Sequence, residues 1–246
     1  DALTGLFLWQ NIFGVWPADG EVTPGWRARL HDYSEKAIRE AGMRTSWNDP
    51  DTEFEHAVHT WLDAVLDGAV AAELTELVTQ LEPHAHNDAL GQKLLSLTVP
   101  GIPDVYQGTE LWEDSLVDPD NRRPVDYAER LVALDRLAHP KMRVVNAALR
   151  ARRDRPDTFL AGAYLPVLAT GASADHVIAF LRGADVLVAV TRWTVQLHDN
   201  GWADTVLPLP QGTWTDRLTG VRLRGPVRAD ELFATLPVVL LEKAHD

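Results

Sequence analysis

One change of texture limits what this chain can fold into. From residue 1 to about Arg155, apolar side chains recur three or four positions apart; beyond Pro156 they fall into short β-branched runs at 164–168, 176–182, 186–191, 204–209, 221–224 and 236–241. Gly-Ala, Asp-Asn-Gly, Gln-Gly and Thr-Gly turns separate those runs. Helical and strand periods kept apart in this way define an α+β chain: a helical region over 1–155, then an antiparallel β-sandwich over 156–246. A complete (β/α)8 barrel takes about 250 residues, so the first part has room for no more than the tail of one. The sequence contains no internal repeat and no low-complexity linker.

Within the first part the clearest helix runs from Thr23 to Gly42, with Thr23 as cap, Pro24 in the first turn, and Trp26, Leu30, Tyr33, Ala37 and Ala41 as its stripe. Asp49 and Pro50 open a second helix, striped by Phe54, Val58, Trp61 and Val65 and ended near Gly68. A third carries Val70, Leu74, Leu77 and Leu81, and Pro83 is expected to stop it; Leu90, Leu94 and Leu97 predict a fourth. Two prolines and two glycines between Val99 and Gly108 forbid a helix and leave space for one short strand, about 104–107. Residues 127–138 and 141–152 return to helical spacing. At the start, Leu3, Leu6, Phe7 and Val15 read as a buried helix rather than a signal peptide, and position 1 is Asp rather than Met, so the chain is expected to lack its true N-terminus.

Charge and cysteine content exclude several classes. Thirty-six acidic against 23 basic residues give a net charge of −13, which repels phosphate backbones and anionic membrane surfaces; neither nucleic acid nor membrane is an expected partner. No apolar run nears the ~20 residues that span a bilayer. With no cysteine the chain has no disulfide, thiolate metal site or cysteine nucleophile, which fits a cytoplasmic protein. Nine tryptophans stand out, and indole rings fill cores as well as stacking on sugars.

Most chemical signatures are missing: the sequence has no GxGxxG, Walker loop, GxSxG or HExxH, so no cofactor is expected. Glu53-x-x-His56 lacks the second copy a di-iron site needs and reads as a solvated helix face. His84-x-His86 follows Pro83 without a third ligand and reads as loop or cap, so no metal is expected. The dense stretch is Tyr106 to Pro124, where five carboxylates, two arginines, two amides and two aromatics crowd into nineteen residues. Carboxylates and amides share hydroxyl protons, guanidinium forks orient carboxylates, and aromatic faces cover a ring, so a polyol site needs this mixture. The same composition also makes a good turn, in which Arg122 or Arg123 simply pairs with Asp118 or Asp120.

Pro100-Gly-Ile-Pro-Asp-Val-Tyr-Gln-Gly-Thr-Glu110 resembles the eighth-strand segment of the α-amylase superfamily, glycoside hydrolase family 13. With Leu111-Trp112 and Leu116-Val-Asp-Pro-Asp-Asn-Arg-Arg-Pro-Val-Asp126, the resemblance is to its trehalose-forming branch. That branch turns the reducing-end α-1,4 bond of a maltooligosaccharide into an α,α-1,1 bond. Thr45-Ser-Trp-Asn-Asp-Pro50, Trp202-Ala-Asp-Thr and Leu236-Pro-Val are similar to it too. The resemblance implies that residues 1–155 are a helical insertion plus the last strand and closing helices of a barrel, and that 156–246 are a C-terminal sandwich. It implies a maltooligosaccharide substrate, and an N-terminal remainder of the same enzyme as partner. Substrate-side roles are implied for Tyr106, Gln107, Glu110, Asp118, Asp120, Asn121, Arg122 and Arg123, with Trp112 as a lid and Trp47 as a cleft wall.

The motifs of that family's catalytic carboxylates are not found here. Arg152-Arg-Asp154 and His31-Asp32 copy fragments of them but fall in helical segments. Retaining chemistry needs two carboxyl groups about 5–5.5 Å apart across the scissile bond, which one strand cannot supply, so the chain alone is expected to be inactive. A non-catalytic carbohydrate-binding or structural fragment, or part of an α-glucan hydrolase or branching enzyme, are the other readings.

Overall fold

The structure, a computed structural model, describes residues 1–244. The described residues divide into two compact units, residues 1–83 with 113–125, and residues 84–112 with 126–244.

The first unit is helical. α1 (Ala2–Val15) is capped by the Asp1 carboxylate, α2 (Pro24–Ala41) by Thr23, and α3 (Thr52–Asp67) by Asp51; α2 ends on Gly42 in the left-handed conformation that suits glycine. Its core gathers Leu8, Ile12, Trp16, Trp26, Leu30 and Leu62. Both indoles of this core have hydrogen-bond partners, Trp26 donating to the Val15 carbonyl and Trp16 to the Thr75 hydroxyl. α1 corrects the expected burial. Leu8, Ile12 and Val15 face the core, whereas Leu3 and Leu6 are more than half exposed, because a helix this apolar all round leaves its sequence no stripe to read.

Pro83 does not stop its helix. α4 runs unbroken from Val70 to Thr98 through the proline, so the third and fourth expected helices are one, and His84 and His86 lie on it rather than in a loop. An interior proline costs about 3 kcal/mol. Burial on either side offsets that cost: Leu74 sits in the core of the first unit, and Leu90, Leu94 and Leu97 sit in the core of the second.

The second unit adds α5 (Tyr127–Arg136), α6 (Pro140–Asp154) and the short α7 (Pro156–Leu160) before the strands begin. β1 (Tyr164–Pro166), β2 (Val177–Arg182), β3 (Val186–Thr191), β4 (Val206–Asp216), β5 (Arg222–Arg228) and β6 (Val238–Lys243) fall on the six expected runs. β4 and β5 extend well beyond theirs, however, and Gln211-Gly212, expected as a turn, lies inside β4 where its register with β5 shifts between Pro208 and Thr213. Two short helices, α8 (Thr194–Asn200) and α9 (Ala229–Leu232), interrupt them. All six strands are antiparallel and join in one sheet, in the order β1-β2-β3-β6-β4-β5, rather than in two hydrogen-bonded sheets. The long β4 makes the join, since Leu207 pairs with Val227 of β5 while Thr215 and Asp216 also pair with β6. Alternate residues of β3 serve two cores. Val186, Val188 and Val190 pack with the α4 leucines and with Val144 and Ala148 of α6, while Leu187 and Ala189 pack with Leu207 and Trp214.

The short strand expected at 104–107 is absent. Residues 102–106 have no regular structure, and a turn follows in which the Thr109 amide and hydroxyl both donate to the Tyr106 carbonyl. A strand exists only through a neighbour, and no described segment pairs with this one.

Candidate functional site

The dense segment from Tyr106 to Pro124 is shared between the two units, Tyr106 to Trp112 falling in the second and the rest in the first. Each part is organised by its own partners.

In the first unit the segment is pinned by α2. Asp120 is buried on a single turn of 3-10 helix (Asp120–Arg122) and accepts from Arg29 at 2.8 and 2.9 Å through both carboxylate oxygens. It also accepts from the Leu116 amide at 2.8 Å, and the Arg123 guanidinium stands 3.1 Å away. Burial pushes the Asp120 carboxyl up, but the Arg29 and Leu116 hydrogen bonds outweigh it and hold the group below the ordinary carboxylate range. Asp118 is more open; it pairs with Lys36 at 2.5 Å and with Arg122, and the Lys36 hydrogen bond holds its carboxyl low. Arg123 also donates to the Ser115 hydroxyl at 2.8 Å. Asn121 differs from its neighbours, for its side-chain oxygen is buried with no hydrogen-bond partner.

The expected Arg–Asp pairing inside the loop is therefore present, Arg122 with Asp118 and Arg123 with Asp120. Sequence reasoning missed the stronger partners, Arg29 and Lys36. They lie 91 and 82 residues away, and only their shared position on one face of α2, seven residues apart, hints at a common task.

Trp47 lies in the turn from Thr45 to Pro50. Thr45 anchors that turn, donating at 2.5 Å to Glu55 and accepting from the Asp51 amide. Arg39 grips Glu55 at 2.8 and 2.7 Å, and with Thr45 it pulls the Glu55 carboxyl down to about 2. The Arg39 guanidinium lies 4.9 Å over the Trp47 ring, which is 57% exposed.

In the second unit Tyr106 and Gln107 are exposed, Gln107 accepting from the Tyr127 hydroxyl at 3.2 Å, and Arg130 ties the turn down through the Gly108 carbonyl. Glu110 is half-buried beside an apolar cavity of about 430 Å³ between α5 and α6. Trp112 is stacked on His86, with ring centres 4.0 Å apart, and has the His139 ring at its edge, 4.9 Å away. Burial and the nearby Lys141 push the His139 imidazole down, favouring its neutral form. Glu53 and His56 are exposed on α3, and no cluster of three or more histidines and carboxylates able to hold a metal occurs among the described residues.

Comparison with known proteins finds relatives named as maltooligosyltrehalose synthases. Over 241 residues, 98% of the chain, the sequence is 66% identical to the "Putative maltooligosyl trehalose synthase" of Mycobacterium tuberculosis, in strains CDC 1551 and H37Rv alike. The chain spans about a third, 32%, of those relatives' length. Among solved structures it matches maltooligosyltrehalose synthase from Arthrobacter ramosus with a TM-score of 0.85 and 44% identity, covering 96% of the chain and 32% of the other. A hypothetical maltooligosyl trehalose synthase from Sulfolobus tokodaii matches with a TM-score of 0.73 and 28% identity over 96% of the chain and 31% of the other. No family model matches the chain. No helix of the described residues is long and apolar enough to cross a membrane.

Proposed function

We propose that this chain is the C-terminal third of a cytoplasmic intramolecular transglucosylase of glycoside hydrolase family 13. The enzyme converts the reducing-end α-1,4 bond of maltooligosaccharides to an α,α-1,1 bond, as a step in trehalose formation. The observation that carries this reading is the 66% identity over 98% of the chain to proteins three times its length. In it, residues 1–155 are a helical insertion with the end of the catalytic barrel, and 156–246 are the C-terminal domain. The catalytic carboxylates belong to the N-terminal remainder.

Three features of the chain support a missing barrel partner. Ile102, at 93% exposure, lies in a segment that has no strand neighbour among the described residues. α5 buries none of its residues, leaving Leu131 and Tyr127 exposed. The cavity between α5 and α6 is apolar, lined by Leu134, Val145 and Leu149 among others. Barrel strands flanking residues 102–107 and helices beside α5 would cover all three.

The substrate-side roles divide by what each residue is free to do. Tyr106 and Gln107 are exposed and Asn121 keeps an unpartnered acceptor, which suits them to grip sugar hydroxyls. Asp118, Asp120, Arg122 and Arg123 hold the loop's shape, Glu110 and Trp112 are substrate-side residues of the second unit, and Trp47 is one of the first.

The test is loss of reducing ends from maltopentaose. The full-length enzyme converts it, and the 246-residue chain alone does not. In the full-length enzyme, Arg123→Ala lowers kcat/KM roughly tenfold, and lysine at that position restores only part of it, because it lacks the planar fork. Turnover by the isolated chain that is abolished by a substitution within it would place the active site here and overturn the reading.

A further inference from the structure

The second unit contains a cavity of about 350 Å³ that none of the candidate site residues lines. α4, the end of β3, α8 and the segments after α8 and α9 supply its walls, among them His84, Asn87, Thr191, His198, Trp202 and Phe233. We propose that this cavity is a second, non-catalytic sugar site that takes a neutral glucosyl unit of an α-glucan chain.

Three observations converge on that ligand. First, two residues that line the cavity each carry a buried polar atom without any hydrogen-bond partner, His84 at Nδ1 and Thr191 at Oγ1. Thr191 is only 6% exposed, and a buried hydroxyl left unpaired costs free energy unless a ligand satisfies it. Second, no Asp, Glu, Lys or Arg lines the cavity, while amide, hydroxyl and imidazole groups do. A site without a guanidinium, ammonium or carboxylate group is poorly suited to phosphates, nucleotides or acids; it suits a ligand whose polarity is all hydroxyl. Third, Trp202 and Phe233 stack at 5.2 Å and 15° at the same cavity. They add the flat apolar surface on which the C–H faces of a sugar ring pack. A hydroxyl-lined cavity with an aromatic wall therefore has the two surfaces that a pyranose has. That the sugar is part of an α-glucan rests on the proposed function; that it is a neutral polyol rests on the cavity alone.

The experiment uses affinity electrophoresis of the full-length enzyme in gels containing soluble amylose, with maltopentaose turnover measured in parallel. Thr191→Val replaces the orphaned hydroxyl by a methyl of the same shape in a strand that favours valine, so the variant folds with an undiminished Tm. Trp202→Ala removes the aromatic wall. Both are expected to weaken amylose retardation about tenfold while leaving maltopentaose turnover unchanged. Wild-type retardation in both variants, or no retardation of the wild-type enzyme, overturns the site. Failure of the wild type to convert maltopentaose would instead overturn the proposed function, and the retardation, which needs no turnover, would still decide whether the cavity binds glucan.

Discussion

Removing the Asp120 carboxylate should damage the fold far more than removing its neighbour Asp118. Asp120→Ala takes away two hydrogen bonds from Arg29 and one from the Leu116 amide. It leaves that amide at a residue only 7% exposed, a loss of about 1–3 kcal/mol. The Arg29 guanidinium, 19% exposed, keeps Asp114, whose carbonyl accepts at 3.5 Å and whose carboxylate stands at 3.6 Å. Breaking a buried pair costs about 3–5 kcal/mol, and the remaining Asp114 contact puts this one at the lower end, near 3 kcal/mol. Asp120→Asn retains an oxygen for Leu116 and should fall between alanine and wild type. The Asp118 carboxylate is 37% exposed and its partner Arg122 72%, so Asp118→Ala loses much less. Urea unfolding followed by tryptophan fluorescence reads the three variants against wild type. Because the Asp120 carboxyl is held low in the folded chain, its contribution is complete above the ordinary carboxylate range and fades as pH falls below it, so the gap between wild type and Asp120→Ala should close in acid. Asp120→Ala no more destabilised than Asp118→Ala at pH 7 would refute the idea that α2 holds the loop through this carboxylate.

Other perturbations test other parts of the chain. Glu55 has its carboxyl lowered from 4.5 to about 2, so Glu55→Gln should destabilise at pH 7, and its deficit against wild type should shrink as pH falls from 4.5 to about 2; a deficit constant across that window counts against the Arg39–Glu55–Thr45 network. Asp216 is the opposite case, since burial pushes its carboxyl up and the fold loses stability as pH rises and the group ionises. Asp216→Asn keeps an acceptor for the Leu218 and Leu240 amides and can donate to Thr219, so its Tm at pH 7 should match or exceed wild type. Gly171 has φ +105 and a Cβ there would meet the Thr205 Cα at 2.7 Å, whereas Gly225 at φ +65 faces open space. Gly171→Ala should therefore cost more than about 2 kcal/mol and Gly225→Ala about 1, read as a Tm difference between the two.

The sequence made visible what local rules govern. Thr23 and Gly42 bracket α2 because a side-chain cap and a left-handed glycine are properties of one or two residues, and the six strand runs show because alternation needs only five or six. What stayed hidden depends on partners far along the chain. Pro83 reads as a stop because its cost is local, while the leucines that offset it bury against α6 and the sheet. Residues 104–107 read as a strand by composition, but pairing is a property of two segments. At the loop, side-chain types pointed to its importance and to a pairing of Arg122 or Arg123 with Asp118 or Asp120, without saying which. Nothing nearby announced Arg29 or Lys36, and Trp112 gave no sign that His86 and His139 would hold it.

Those hidden partners change how the loop's composition should be weighed. Five carboxylates and two arginines look like seven groups available to a sugar, yet both arginines and the two aspartates nearest them already have partners within the chain. A carboxylate that accepts three hydrogen bonds has little capacity left for substrate hydroxyls, and its ionised form is fixed by those same bonds. Under the proposed function, binding then falls to side chains that carry fewer bonds and no charge, Tyr106, Gln107 and Asn121. The charged groups do the prior task of keeping the backbone around Asn121 in one shape, as the Arg130 contact to the Gly108 carbonyl does for the turn that carries Gln107. A loop of this kind gains specificity from its rigid charged frame and affinity from its neutral contacts. Charge-removing substitutions should therefore lower thermal stability together with turnover, whereas Gln107→Ala or Asn121→Ala should raise KM with the Tm unmoved.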